Sequence, residues 1–318
     1  MPNGVVVITG PTATGKTKLG IELAKKFGGE VISADSMQLY KHMDIGTATP
    51  DEEEMEGIPH HMLSIIEPWE DYSVSLYVEA AAACVDNVLA RGKLPIIVGG
   101  TGLYIDSLLS GRGFMGGDAA LREKFSKQYD AEGGEAMLRL LGEVDIDSAQ
   151  RLHANDKKRI VRALEVYHAT GKSITQHNIE TQSLPPRYNS CKIALSFEDR
   201  ADLYDRIDRR VDLMMDMGLV AEVEKLIAMG VDEKSTAMQA IGYKEIVLAL
   251  RGECPMAEAV ETVKRESRRY AKRQLSWLSS KKDVNWIRWK KQPDLDWARQ
   301  LSTNFMENNG IITEADKK

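Results

Sequence analysis

The sequence has little cysteine: Cys84, Cys191 and Cys254 are its three, they lie far apart, and none belongs to a C-x-x-C pair. A disulfide framework and a thiolate zinc site are therefore not expected, and the usage fits a reducing cytoplasm. Long apolar runs are also lacking, since none nears the roughly 20 residues of a membrane-spanning helix. The Met-Pro-Asn-Gly start enters Val5-Val6-Val7-Ile8 directly, which leaves no room for a secretion signal. Overall positive charge is absent too. With 42 Lys and Arg against 48 Asp and Glu, the net charge of -6 argues against a surface coated in positive potential, so any nucleic-acid site has to be local. Internal repeats and low-complexity segments are missing. What remains is globular, with 43% hydrophobic and 28% charged residues, and its 318 residues allow a main domain with a substantial addition.

Val5 to Thr9 is a short β-branched run ending at Gly10, followed by a glycine loop and a helical period over Lys18 to Phe27. Glu30 to Ala34 and Leu94 to Val98 read as further strands, with a long helix over Ser73 to Arg91 between them. This alternation implies an α/β fold with a parallel sheet flanked by helices. From about Gly113 the pattern becomes charged, helical and broken by Gly133-Gly134 and Pro185-Pro186, and Lys192 to Phe197 then returns to the sheet. The expected division is a first part of the core at 1–112, a helical insertion at 113–190, and a return with C-terminal helices at 191–318. Breaks near Gly218, Gly230 and Gly252 split the helices between Ala201 and Trp277, and the tail from about Asn308 reads as polar and frayed.

Gly10-Pro11-Thr12-Ala13-Thr14-Gly15-Lys16-Thr17 satisfies G-x-x-x-x-G-K-[ST], between a strand and a helix as a phosphate-binding loop requires. Its glycines let N–H groups turn inward, the helix N-terminus adds partial positive charge, Lys16 adds a full one, and the Thr17 hydroxyl suits a bound Mg²⁺. The loop does not choose between a nucleotide such as ATP and another diphosphate. Asp35 falls just after the second strand, at the sheet edge that faces the loop's ligand; catalysis and a turn cap are both open for it. Ser36 and Gln38 are equally open between bonding a ligand and plain surface. Gly99-Gly100-Thr101-Gly102 allows close backbone approach and offers one hydroxyl, or is simply a tight turn. His60 and His61 are adjacent in an extended segment and point apart, with no third ligand nearby, so a turn or a substrate contact suits them better than a metal.

A helical wheel over Ala257 to Ser280 puts Val260, Val263, Tyr270, Ala271, Trp277 and Leu278 on one side. Lys264, Arg265, Arg268, Arg269, Lys272 and Arg273 fall on the other, a continuous basic stripe that suits a phosphodiester backbone or is a solvated face. In Asn155 to His168, Ile160, Val161, Leu164 and Tyr167 make the buried side. Arg159 and Arg162 project, to grip phosphates or to pair with Asp156 and Glu165.

Taken together, Gly10 to Thr17, DSMQLYKHMDIGTATP from Asp35, PHHML from Pro59, VGGTGLYI from Val98, NDKKRIVRALEV from Asn155, AIGYKE from Ala240 and RRYAKRQLSW from Arg268 resemble the tRNA dimethylallyltransferases. The match covers nearly the whole chain. The resemblance implies a P-loop NTPase-like sheet with an inserted helical domain. It also implies transfer of the dimethylallyl group of dimethylallyl diphosphate to N6 of adenine-37 in tRNAs that read codons beginning with U, with diphosphate released and Mg²⁺ as cofactor. By carry-over Asp35 is the base and Thr101 meets the reacting adenine. The loop from Gly10 through Pro11, Thr12, Ala13, Thr14, Gly15, Lys16 and Thr17 holds the donor diphosphate. Asp35, Ser36, Met37, Gln38, Thr101, Arg122, Arg159, Ile160, Val161, Arg162 and Ala163 meet the tRNA, and the stripe adds Arg268, Arg269, Lys272 and Arg273. A cytoplasmic monomer is expected. Thr49 stands where relatives commonly carry lysine, a departure that touches a minor phosphate contact. The rival readings are a small-molecule kinase, opposed by a Leu94 to Val98 strand that ends in glycines rather than an acid, and a non-catalytic tRNA-binding protein.

Overall fold

A computed structural model describes residues 4–111, 113–182 and 184–313. In chain order the elements begin with β1 (Val5–Thr9), α1 (Lys16–Phe27), β2 (Gly29–Ser33), α2 (Asp44–Thr47), α3 (Glu52–Met55), β3 (His60–His61), α4 (Val74–Ala90), β4 (Leu94–Val98) and α5 (Gly102–Ser110). Then come α6 (Ala119–Glu132), α7 (Gly134–Gly142), α8 (Ile146–Arg151), α9 (Lys157–Thr170) and α10 (Ile174–Gln182). The chain closes with β5 (Ser190–Phe197), α11 (Arg200–Asp216), α12 (Leu219–Ala228), α13 (Tyr243–Leu250), α14 (Met256–Ser279), β6 (Val284–Trp289) and α15 (Leu295–Asn308).

These elements form two compact units, residues 1–109 with 187–318, and residues 110–186. The helical unit thus starts and ends a few residues before the expected 113–190. The Arg187 N–H already donates to Leu109 O at 2.8 Å, and the Val5 N–H donates to Asn189 O, so the chain rejoins the sheet unit ahead of β5. Arg112, at the expected boundary, lies outside the described residues.

The larger unit is a six-stranded sheet in the order β3-β2-β4-β1-β5-β6, every pair parallel. β1, β2 and β4 are buried on both faces, which is why β1 and β4 read as apolar runs, while β2 buries Glu30 and Ser33 beside Val31 and Ile32. Val5, Val7, Ile32 and Ile97 pack on one face with residues of α4, α5, α12 and α13. Val6, Ile8, Val31 and Ile96 pack on the other with residues of α1, α11 and α15. This places the β1, β2 and β4 C-termini, with their loops, along one edge. The frayed-tail expectation is corrected in part: Ile311 and Ile312 are buried with the second cluster, so order extends past Asn308.

The smaller unit packs α6 and α7 against α9 around Phe125, Met137, Leu141, Ile160 and Leu164. Asp118 caps α6 by accepting from the Ala120 and Leu121 N–H groups, and Asp145 caps α8 through Ser148.

Candidate functional site

The loop from Gly10 to Thr17 runs through backbone conformations that favour glycine. Gly10 has φ 138°, and a Cβ there would lie 2.3 Å from Leu195 O; Gly15, at φ 86°, is the N-cap of α1. Ala13 also takes a left-handed φ of 64°. Neighbours hold this geometry from outside. Arg206 Nε of α11 donates to Ala13 O at 3.1 Å, Trp289 Nε1 of β6 to Thr14 O at 3.0 Å, and the Thr12 N–H donates to Gln274 Oε1 of α14 at 3.1 Å. Inside the loop, Pro11 O accepts from Thr14 Oγ1 at 2.8 Å and from Lys16 Nζ at 2.7 Å.

Positive charge gathers here. Burial, with the nearby Arg210, pushes the Lys16 ammonium down to about 8, and Asp35 opposes them. The Arg210 guanidinium is also held below its usual range by burial, with Asp35 and Glu54 acting in the other direction. Lys16, Arg206 and Arg210 thus stand around the loop with the Asp35 carboxylate among them, an arrangement that favours a bound anion.

Asp35 sits half-buried after β2, its Oδ1 accepting from the Met37 N–H at 2.9 Å. The local turn does not preclude a chemical role, because the bond to Met37 uses Oδ1 and leaves Oδ2. Thr101, at the end of β4, accepts from the Ser36 N–H at 3.1 Å, which joins the two strand ends. A Cβ at Gly99 would lie 2.2 Å from Ala34 O, so this approach needs glycine. Gln38 is consumed internally: it accepts from Ser33 Oγ at 2.8 Å and donates to Ala48 O at 3.0 Å. Met37 packs partly against the core. Thr49 bonds the hydroxyl of Thr47 at 2.8 Å.

Several functional neighbours were not singled out from sequence. Arg206 and Arg210 lie at i and i+4 on α11, a spacing visible in the sequence. Tyr270 and Gln274 lie at i and i+4 on the buried side of α14, and a glutamine on an apolar stripe was the available signal. Burial, then Asp35, pushes the Tyr270 phenol up to about 12, with Thr101 and Gln274 also in reach.

The basic stripe is corrected. Lys264 pairs with Asp212 at 2.7 Å and Arg268 pairs with Asp208, so both turn toward α11 and interrupt the stripe. Arg265, Arg269, Lys272 and Arg273 are exposed; Arg269 reaches Glu266 at 2.7 Å, and Arg273 lies 5.5 Å from the Tyr270 ring.

In the smaller unit, fully buried Glu165 accepts from Arg122 Nε at 2.9 Å, Arg162 at 2.8 Å and the Asp118 N–H at 3.0 Å. Ile160, Val161 and Ala163 are buried in that core. Side-chain contact by the 159–163 segment therefore narrows to Arg159, which is 75% exposed, and Arg162. His61 bonds Glu30 at 2.8 Å in an ion cluster with Arg91 and Lys93.

For a metal, the donors near the loop are Thr17 and Asp35, and among the described residues no group of three His, Cys, Asp or Glu gathers around a cation position. That donor set fits a Mg²⁺ carried chiefly by the oxygens of a bound diphosphate.

Residues 38–281 match the family described as IPP transferase, and residues 3–64 match isopentenyl transferase. A tRNA dimethylallyltransferase of Acetivibrio thermocellus is 51% identical over 90% of this chain and 91% of its own. The full-length tRNA isopentenylpyrophosphate transferase of Bacillus halodurans superposes with TM-score 0.72 at 38% identity, covering 97% of this chain and 98% of that one. A eukaryotic dimethylallyltransferase solved acting on tRNA gives TM-score 0.81 at 29% identity, over 98% of this chain and 81% of that one.

Proposed function

The chain belongs to the IPP transferase family, whose members here are tRNA dimethylallyltransferases, and on that premise we propose that Asp35 and the Gly10 to Thr17 loop carry its reaction. The protein is a tRNA-modifying prenyltransferase. Its donor is dimethylallyl diphosphate and its acceptor the N6 amine of adenine-37, beside the anticodon of tRNAs reading codons that begin with U. The observation that carries this reading is one carboxylate, Asp35, whose neighbour Ser36 bonds Thr101 and whose charge acts on two cations at the loop, Lys16 and Arg210.

An exocyclic adenine amine is a weak nucleophile because its lone pair is delocalised into the ring. As that pair bonds to the allylic C1, the C–O bond breaks and its electrons leave with the diphosphate. The N6 proton passes to the Asp35 carboxylate. Lys16, Arg206, Arg210 and the N–H groups opening α1 stabilise the charge that grows on the leaving group. A Mg²⁺ held by Thr17 and the diphosphate oxygens would add Lewis-acid stabilisation of that charge. The Thr101 hydroxyl orients the base, which must leave its stack at a cost of a few kcal/mol, cheaper in a loop than in a duplex.

Exposed Arg159, Arg269, Lys272 and Arg273 supply phosphate contacts in a protein of net charge -6. Arg122 and Arg162 reach the RNA only as part of the Glu165 cluster. No helix among the described residues is long and apolar enough to cross a membrane. The test is single-turnover transfer of label from dimethylallyl diphosphate, with Mg²⁺, to an anticodon stem-loop containing A36-A37. Label on N6 in the wild type, lost in Asp35→Ala, supports the reading. ATP consumption without label transfer would replace it with phosphoryl transfer.

A further inference from the structure

We propose that Gln274 is a positioning residue that fixes the spacing between the donor loop and the acceptor turn. Its two amide atoms face opposite ways: Oε1 accepts from the Thr12 N–H at 3.1 Å, and Nε2 donates to Gly100 O at 3.0 Å. Thr12 belongs to the diphosphate loop, and Gly100 immediately precedes Thr101. The side chain is 6% exposed, so water does not compete for either bond. Gly100 is what admits it, since a Cβ there would lie 2.2 Å from Gln274 Nε2. An amide supplies one acceptor and one donor across this gap at every pH, which an ionised carboxylate of the same length does not.

The rest of the same helix face supports the arrangement. Trp277, three residues on, donates from Nε1 to Asp106 Oδ2 at 3.0 Å, and its indole fills the space that a Cβ at Gly102 would need. One face of α14 therefore backs Gly100, Gly102 and α5, while its other side exposes Arg269, Lys272 and Arg273. Transfer requires the N6 nitrogen and C1 carbon to meet at about 3–3.5 Å, and the two atoms are held by different loops. Gln274 sets the distance between those loops. The inference rests on the reading of the Gly10 to Thr17 loop as donor site and the Thr101 turn as acceptor site.

The test compares wild type with Gln274→Met and Gln274→Glu in the single-turnover assay, using full-length protein and the A36-A37 stem-loop. Gln274→Met keeps the shape and removes both bonds. It is expected to lower the transfer rate by about tenfold or more, with both substrate KM values within about threefold of wild type. Gln274→Glu supplies the discriminating signature. Its carboxylate still accepts from Thr12 but opposes Gly100 O, whereas the protonated acid reproduces the amide's donor and acceptor. The rate of Gln274→Glu relative to wild type should therefore rise several-fold as pH is lowered from about 8 to about 6, burial favouring the neutral acid. The titratable and charged groups around this point are Tyr270, with Asp35 and Arg273 acting on it, and, at the adjoining loop, Lys16, Arg206 and Arg210. All are present in both proteins, so the ratio removes the part of their titration that the substitution leaves unshifted; Gln274→Glu in a Lys16→Met background isolates the acid's own titration from that of Lys16. A flat ratio, an unchanged rate in Gln274→Met, or a loss that only tracks the folded fraction in thermal melts would overturn the proposal. Absence of transfer by the wild type would instead sink the donor and acceptor assignment on which it rests.

Discussion

Glu222 of α12 holds a helix end that has no cap of its own. α2 begins after Met43 without a side-chain cap, and the Glu222 carboxylate takes the N–H groups of Asp44, Ile45 and Gly46 at 2.9, 2.8 and 3.0 Å. The same carboxylate accepts from the Tyr243 hydroxyl at 2.6 Å, and that ring packs where a Cβ of Gly46 would sit. Replacing Glu222 by Ala removes all four bonds, but they do not count equally. The α2 N–H groups lie at the rim and regain water, so their loss resembles a lost cap at about 0.5–2 kcal/mol. The tyrosine is fully buried, and an unsatisfied hydroxyl there costs about 1–3 kcal/mol. The expected destabilisation is about 2–4 kcal/mol, a fall in Tm of roughly 5–15 °C for a unit of this size. Thermal melts of Glu222→Ala, Tyr243→Phe and the double variant read it. Tyr243→Phe alone should cost only about 1 kcal/mol, and it should restore part of the loss in the Ala background because no orphan hydroxyl remains. A single Ala variant melting with wild type, or strictly additive effects, would refute this account.

Asp35→Asn keeps the bond to the Met37 N–H but cannot take the proton, so the transfer rate should drop by about 10²–10⁴-fold with stem-loop affinity nearly unchanged; single-turnover rates and filter binding separate the two. Lys16 in the free enzyme titrates near 8, so it is charged below that pH and neutral above it. The kcat/KM for the donor should therefore fall as pH rises through about 8, and Lys16→Met should abolish that limb of the profile. Arg159→Ala should reduce the slope of log affinity against log salt by about 0.7–0.9 for the stem-loop, with stability unchanged, because Arg159 is exposed and only 3.7 Å from Asp156. Arg122→Ala should lower the melting temperature as well as affinity, since it removes a partner of buried Glu165.

The parts legible in sequence are those whose cause is local. β1 and β4 are short, β-branched and buried on both faces, and α4 keeps its apolar period between Ser73 as cap and Arg91. The phosphate loop is legible because its shape comes from its own glycines. β6 was not read because Val284 to Trp289 mixes polar and charged residues with few buried ones; its strand state comes from pairing with β5, 92 residues away at Lys192 and Val284. The same reason hid the supports of the site. Thr12 and Gln274 are 262 residues apart, and Asp44 and Glu222 are 178 apart, so no local pattern joins them. Arg162 and Glu165, three residues apart on one helix, were legible as a pair, whereas Arg122 reaches the same carboxylate from 43 residues away.

The interrupted basic stripe and the cationic loop have one origin in α11. Asp208 and Asp212, one turn apart, pair with Arg268 and Lys264 of α14. Arg206 and Arg210 precede them by two residues each, which at 3.6 residues per turn turns them to the opposite side of the helix. There Arg206 reaches Ala13 O, and Arg210 sets its charge against Lys16 and Asp35. The two cations that α14 gives up from its outer surface thus fix the rotation of α11, and that rotation delivers two other cations to the diphosphate loop. On the proposed reading, positive charge in an acidic chain is concentrated where a leaving diphosphate needs it, and RNA attraction falls to exposed residues such as Arg159, Lys272 and Arg273.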